Sequence, residues 1–186
     1  MASGGLGDEL RFVRAAQAGD RAAFDALAAR YRDAVRAVAF DATGQGAVAE
    51  ELAQDALVAA WVHIGDLRDP AAFAHWLRQI ALNCCRMWLR RPEPRLDDLA
   101  AAEHLPAPAS PHQDVWHRLL ERELHRALLS VPPNNRAALL MSAFGEMTDG
   151  EIAAFLGVPV TTVEGRVYRA RRKLRARLQR FLDTLE

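Results

Sequence analysis

The stretch from Thr148 to Leu178 reads TDGEIAAFLGVPVTTVEGRVYRARRKLRARL, and it contains a complete helix-turn-helix pattern. Thr148 and Glu151 have the spacing of a capping box, which predicts the start of a helix. Gly157 is expected to end that helix, and Pro159 to fix the backbone where a second helix begins. The sequence therefore predicts a short helix, a tight turn and a longer helix.

The longer helix is predicted to be apolar on one side and cationic on the other. Its apolar residues recur at steps of three and four: Val163, Val167, Ala170, Leu174 and Leu178. Between Thr161 and Arg180 the chain has eight basic residues and a single acid, Glu164. Such a helix, preceded by a tight turn and a shorter helix, has the geometry of a recognition helix in the major groove of DNA. A solvated basic surface helix is the other interpretation.

Composition limits the number of domains, the location and the cofactors that can be expected of this chain. The 186 residues carry 24 Lys and Arg against 24 Asp and Glu, which suggests one or two small domains. Neither a signal peptide nor a membrane span is recognisable, so we expect a cytoplasmic protein without membrane insertion. The six histidines and the adjacent Cys84 and Cys85 lack metal-ligand spacing, so no metal or other cofactor is expected. Without a Gly-rich phosphate loop or a nucleophile elbow, an enzyme is not expected either.

Helical periodicity runs through almost the whole sequence, which predicts an all-α fold. Apolar stripes define three long helices after a short leading helix near residues 8 to 18. Their members are Phe24, Leu27, Tyr31, Val35 and Val38, then Leu52, Ala56, Ala60 and Trp61, then Phe73, Trp76, Leu77, Ile80, Ala81 and Cys84. Five of the nine prolines lie between Pro92 and Pro111, as in a flexible linker. We therefore predict domains at residues 1–91 and 113–186, joined by a linker at 92–112.

Four segments in sequence resemble bacterial extracytoplasmic-function (ECF) sigma factors. They are FVRAAQAGDRAAFDALAARY at 12–31, AEELAQDALVAAW at 49–61, DPAAFAHWLRQIALNCCRMWLRR at 69–91, and VPPNNRAALLMSAFGEMTDGEIAAFLGVPVTTVEGRVYRARRKL at 131–174. The resemblance implies an N-terminal sigma region 2 and a C-terminal sigma region 4. It also implies a transcription initiation subunit that is not itself an enzyme.

The partners that the resemblance implies are core RNA polymerase, promoter DNA and an anti-sigma factor. Core polymerase would be contacted at the clamp helices of its largest subunit and at the flap of the second. The polar face formed by Glu51, Gln54 and Asp55 is expected to dock on the clamp helices, since an acidic face suits a basic partner.

The resemblance also assigns two sets of DNA-binding residues. For the minus-ten element they are Arg78, Asn83, Arg86 and Arg90, with the loop Gly65 to Asp69 near the place where a base leaves the duplex. Phe73, Trp76 and Trp88 are candidates for stacking on bases, although aromatic residues at helical spacing are more often core residues. For the minus-thirty-five element the candidates are Thr162, Glu164, Arg166, Tyr168, Arg169, Arg172 and Lys173.

Two positions depart from the family pattern. Many members have a basic residue at Glu164 and a serine at Gly165. Glu164 is suited either to accept from cytosine or to repel phosphate, and Gly165 inside a helix costs up to about 1 kcal/mol relative to alanine. The alternative function is a helix-turn-helix regulator that binds duplex DNA without being a polymerase subunit.

Overall fold

The computed structural model describes residues 6–91, 111–145 and 147–184, and this part of the chain is helical and contains no strand. Eight α-helices run through these ranges. They are α1 (Leu6–Gln17), α2 (Arg21–Thr43), α3 (Gly46–His63), α4 (Phe73–Leu89), α5 (Pro111–Ser130), α6 (Asn135–Phe144), α7 (Asp149–Leu156) and α8 (Val160–Asp183). The predicted all-α fold is confirmed. Most of the proposed linker lies outside the described residues, and α5 begins at Pro111, two positions before the predicted boundary.

Helices α1 to α4 form the N-terminal domain around the predicted stripe of α2, whose five members are all buried. Asp20 caps α2 by accepting a hydrogen bond from the Ala23 N–H at 3.2 Å, as expected of an aspartate that precedes a helix. The chain leaves α2 through Gly44, at a φ of 72° that a residue with a side chain rarely adopts. Phe73, Leu77 and Ala81 of α4 close the core from the other side.

Two short 3₁₀ turns, Ile64–Asp66 and Pro70–Ala72, connect α3 to α4. Ile64 and Leu67 are buried, whereas Gly65, Asp66, Arg68 and Asp69 are exposed. The connection is therefore anchored by apolar side chains and presents its polar residues outward.

Helices α5 to α8 form the predicted four-helix C-terminal unit. Thr148 and Glu151 make both hydrogen bonds of the capping box at the start of α7, and Gly157 ends α7 with a φ of 67°. Pro159 precedes α8 in extended conformation. Val163, Val167 and Ala170 are buried, and Leu174 and Leu178 are half-buried. The helix-turn-helix predicted from the sequence is thus confirmed at each of its signals.

The two domains pack against each other through a continuous apolar core. Helix α6 packs on α2, and α7 packs on α4. Tyr31 of α2 stacks on Phe155 of α7 with ring centroids 5.7 Å apart, and both rings are fully buried. Burying a large apolar side chain contributes about 1.5 to 3 kcal/mol, so this contact favours the closed arrangement of the domains.

Candidate functional site

Helix α8 presents its cationic residues to solvent because its apolar stripe holds it against α5, α6 and α7. Of the seven predicted minus-thirty-five residues, five are exposed and two are half-buried. The exposed ones are Glu164, Tyr168, Arg169, Arg172 and Lys173, and the half-buried ones are Thr162 and Arg166. All seven lie on the first four turns of α8, next to the turn from α7, as the docking of a recognition helix requires.

Gly165 lies under the side chain of Arg169, one turn further along α8. A Cβ built at Gly165 would stand 3.2 Å from Nη1 of Arg169. The glycine therefore leaves room for the guanidinium to lie along the helix surface. Its φ is not positive, so the backbone conformation does not require glycine.

Three of the four predicted minus-ten residues share one exposed side of α4. Asn83, Arg86 and Arg90 are separated by three and four positions, which places them on neighbouring turns of one face. Nη1 of Arg86 donates to Oδ1 of Asn83 at 2.7 Å, so each holds the other's polar group in position. This arrangement offers an amide and two guanidinium groups to a nucleic-acid strand.

Arg78, the fourth predicted minus-ten residue, lies at the junction between the domains rather than on the exposed side of α4 with the other three. It lines a cavity of about 200 Å³ together with residues of α2, α6 and α7. Its Nε is buried and makes no hydrogen bond to any described residue. Burial lowers the pKa of Arg78, and the nearby positive charges of Arg166 and Arg86 lower it further. A cation predicted for the minus-ten element thus lies beside one predicted for the minus-thirty-five element.

The aromatic candidates of α4 differ in their access to solvent. Phe73 is 1% exposed and lies in the core between Tyr31 and Trp76. It is therefore not available for stacking on a base in this arrangement. Trp76 and Trp88 are half-buried and retain partly open ring surfaces.

The predicted polymerase-binding residues lie together on the outer face of α3. Glu51, Gln54 and Asp55 are exposed, opposite the buried Leu52 and Ala56. The neighbouring Glu50 is engaged within the domain instead, because it accepts a hydrogen bond from Arg32, which lowers the pKa of Glu50.

Val58 and Val62 extend the same face and were not singled out from the sequence. They are 64% and 68% exposed, and they follow Glu51 by seven and eleven positions, so they lie on its side of the helix. Two β-branched apolar residues at this spacing, outside the buried stripe, were the signal that sequence reasoning missed. The α3 surface is therefore acidic at its first half and apolar at its second.

The junction between the domains is held by polar contacts as well as by the shared core. Arg136 of α6 pairs with Asp41 of α2, and Arg30 of α2 pairs with Glu151 of α7. Arg30 also lies 4.0 Å from Glu9, which accepts a hydrogen bond from the Tyr31 hydroxyl at 2.7 Å. Burial raises the pKa of Tyr31, and the bond to Glu9 raises it further, so the phenol stays protonated.

The site contains no arrangement suited to a metal ion among the residues that the structure describes. Cys85 is buried and Cys84 half-buried, and burial raises the pKa of both thiols. Within the same residues, no helix has the length and apolar character needed to cross a bilayer.

Two family profiles match the chain, one in each half. Residues 27–94 match the family profile described as Sigma-70 region 2, and residues 121–174 match Sigma-70, region 4. The chain is 33% identical over 171 residues to the ECF RNA polymerase sigma factor SigM of Mycobacterium tuberculosis, covering 90% of this chain and 82% of SigM.

Two further relatives extend the comparison. The probable RNA polymerase sigma factor RfaY of Xanthomonas campestris is 32% identical over 91% of this chain, which spans 44% of the length of RfaY. The solved structure of CnrH, in complex with the cytosolic domain of CnrY, has a TM-score of 0.60 and 29% identity and covers 92% of this chain and 97% of CnrH. With both sigma regions matched in order and SigM similar over most of its length, the chain belongs to the ECF RNA polymerase sigma factors.

Proposed function

We propose that this chain binds core RNA polymerase, directs it to promoters through both elements, and separates the strands at the minus-ten element. The observation that carries this proposal is the presence of three exposed polar or charged surfaces on three helices. The surfaces are the cationic face of α8, the polar face of α4 with Asn83 and Arg86, and the acidic face of α3.

The α8 surface is suited to reading the minus-thirty-five element as duplex DNA. An arginine that meets guanine bidentately in the major groove contributes roughly 1 to 3 kcal/mol of discrimination. Arg169 is exposed and lies over Gly165, so it is the arginine that we assign to base contact. Arg172 and Lys173 follow on the exposed surface and are assigned to phosphates, which set register without reading sequence.

The α4 surface is suited to the displaced strand of the minus-ten element. Extruding a base costs a few kcal/mol of lost stacking, which a protein without an energy source must recover through contacts. Asn83, Arg86 and Arg90 offer hydrogen bonds and positive charge on one side of the helix, whereas the half-buried Trp88 packs on its other side against Ala39, Ala49 and Leu52.

The α3 surface is proposed to dock on the clamp helices of the largest polymerase subunit, and region 4 on the flap of the second. Glu51 and Asp55 supply negative charge for steering toward a basic partner. Val58 and Val62 supply exposed apolar area, whose burial against a partner favours association.

Promoter binding requires the two domains to separate. The two elements lie about 25 base pairs apart, or roughly 85 Å along B-form DNA. In the closed arrangement Arg78 and Arg166 lie close enough for one charge to lower the pKa of the other.

We also propose that an anti-sigma factor binds this chain and holds its two domains closed. A recess of about 210 Å³ lies at the junction, lined by Phe40 and Ala49 of the first domain and by Leu128, Leu140 and Phe144 of the second. An apolar side chain inserted there contacts both domains at once, so a partner that binds the recess stabilises the closed form. CnrH, the structural relative, was solved with a protein partner, the cytosolic domain of CnrY.

The experiment that tests the proposed function mixes the full chain with core RNA polymerase and a library of promoter sequences. We expect co-elution with core enzyme and initiation at defined sites. Tight binding to duplex DNA by the chain alone, without binding to core enzyme, would favour the helix-turn-helix regulator instead. The cytoplasm, where both polymerase and DNA lie, is the proposed location.

A further inference from the structure

Gln17, the last residue of α1, holds the connection between α3 and α4 through two hydrogen bonds. Its Nε2 donates to the carbonyl oxygen of Ile64 at 3.2 Å and to that of Leu67 at 2.7 Å. A primary amide has two N–H donors, so both are used on this one connection. Because each neighbour is a carbonyl oxygen, only the amide nitrogen fits this position.

These two carbonyls lie at the two ends of the first 3₁₀ turn. The side chains of Ile64 and Leu67 are buried, whereas Gly65 and Asp66 between them are exposed. The Leu67 N–H closes the turn by donating to the Ile64 carbonyl at 3.3 Å. Gln17 therefore fixes the base of a small exposed loop whose tip is Gly65.

Gly65 at this tip is not explained by the fold. Its φ is not positive, and a Cβ built there would meet no atom within 4 Å. Neither backbone conformation nor internal packing requires glycine at this position. A residue without a side chain on an exposed tip is suited to close approach by a group from outside the protein.

Helix α1 is itself fixed independently of Gln17. Val13 and Ala16 are fully or almost fully buried in the core of the N-terminal domain. The amide of Gln17 therefore links the loop to a rigid support. Its removal is expected to loosen the exposed tip, which Ile64 and Leu67 still anchor from below, without releasing α1.

We infer that Gln17 is a positioning residue for strand separation, which presents the loop around Gly65 to the base that leaves the duplex. The inference rests on the proposed function, since it concerns the minus-ten step of that function. A loop ordered in advance loses less conformational entropy when it captures a base, so the captured state is reached more often.

The test compares holoenzymes that contain the wild-type chain or Gln17→Ala, on a promoter recovered by the wild type from the library. Opening is followed by the fluorescence of 2-aminopurine placed in the minus-ten element. We expect Gln17→Ala to bind core enzyme as the wild type does and to open the promoter roughly three- to thirtyfold more slowly. Gln17→Glu, which turns carboxylate oxygens toward two carbonyls, is expected to be slower still.

An abasic site, moved through the element one nucleotide at a time, separates positioning from a general structural loss. If the loop receives one base, the difference between wild type and Gln17→Ala disappears when that base is missing and persists at the other positions. Gln179→Ala removes the same chemical group from the exposed end of α8, where the amide donates to Asp183, and serves as the matched control.

The outcomes distinguish the two proposals. A wild-type chain that fails to bind core enzyme or to open any promoter overturns the proposed function itself. Normal opening by Gln17→Ala, or a defect that is equal at every abasic position, overturns the inference about Gln17 alone. Gly65→Ala, which has open space around it, provides a second variant: it should slow opening, and combined with Gln17→Ala it should add less than its own effect.

Discussion

Asp41 and Arg136 form a largely buried ion pair that joins the two domains across 95 positions of sequence. Nε of Arg136 lies 3.0 Å from Oδ1 of Asp41, and the side chains are 7% and 13% exposed. Nη2 of Arg136 also donates to the Asp41 carbonyl at 2.8 Å, and the Asn134 N–H donates to Oδ2 at 2.9 Å. Both groups of the pair are thus hydrogen-bonded in the closed arrangement.

Arg136→Ala is expected to shift the chain toward separated domains. Removing one partner of a fully buried pair costs about 3 to 5 kcal/mol, and this largely buried pair sets a somewhat smaller cost, because the remaining charge is left without its counterion. The radius of gyration from small-angle X-ray scattering should increase while helix content by circular dichroism stays constant. Arg36→Ala, which removes a half-exposed pair with Asp33, should change little. An unchanged radius for Arg136→Ala would show that the pair does not hold the domains together.

The lowered pKa of Glu151 is expected to make the free energy of unfolding depend on pH. Burial raises its pKa, but hydrogen bonds from the Thr148 N–H and hydroxyl and the positive charge of Arg30 outweigh this, so the pKa lies below its ordinary value of 4.5. The unfolded chain therefore binds this proton at a higher pH than the folded chain. The stabilisation is complete above the unfolded pKa and is lost as pH falls through the lowered folded pKa.

Urea denaturation of wild type and Glu151→Gln, from about pH 6 down to about pH 3, measures this effect. The free energy of unfolding should decrease toward low pH in the wild type and decrease less in Glu151→Gln. If the free energy of unfolding decreased equally with pH in both proteins, the lowered pKa of Glu151 would be contradicted.

Gly165→Ala is expected to stabilise the chain by up to about 1 kcal/mol, since glycine is a poor residue for a helix interior. The added Cβ would meet the flexible end of Arg169 at 3.2 Å, so the guanidinium must shift by a few tenths of an ångström. We therefore expect a thermal midpoint roughly 2 to 4 °C higher together with altered minus-thirty-five preference. A higher thermal midpoint without any change in minus-thirty-five preference would show that Arg169 does not read bases.

Charge reversal on α3 and loss of Arg169 should impair different steps: binding to core enzyme in the first case and promoter-dependent transcription in the second. Glu51→Arg combined with Asp55→Arg is expected to weaken binding to core enzyme, measured by pull-down, while duplex binding by region 4 is retained. Arg169→Ala is expected to weaken promoter-dependent transcription while core binding stays intact. If the α3 double variant binds core enzyme normally, the docking surface lies elsewhere.

The exposed valines of α3 allow a test of the apolar half of that surface. Val58→Ser combined with Val62→Ser should weaken core binding while changing the free energy of unfolding by only about 0.5 kcal/mol, because both side chains already face solvent. A large loss of stability would instead show that these valines support the fold.

Local signals explain how much of the fold the sequence could predict. The capping box of Thr148 and Glu151, the turn at Gly157 and the stripe beginning at Val163 each depend on residues within a few positions of one another. Backbone hydrogen bonding and helical periodicity determine the cap, the turn and the stripe, and residue type and spacing indicate both directly.

The arrangement of the domains could not be predicted in the same way. The pairing of Asp41 with Arg136 and the stacking of Tyr31 on Phe155 join residues far apart in sequence, and their spacing carries no periodic signal. Arg78 illustrates the consequence for the site: its residue type and helical position suit DNA, yet tertiary packing places it at the junction. Phe73 likewise has the chemistry of a stacking residue and lies in the core.

The carboxylate of Glu151 divides its two oxygens between two tasks. Oε2 accepts from the Thr148 N–H at 2.7 Å and from the Thr148 hydroxyl at 2.9 Å, whereas Oε1 accepts from Arg30 of the other domain. When the domains part, only the second contact is broken, and α7 keeps its N-terminal cap. The reading helix and its support can therefore move as a rigid body, so that at Glu151 release exchanges only the Arg30 salt bridge for water and requires no refolding of the unit that meets DNA.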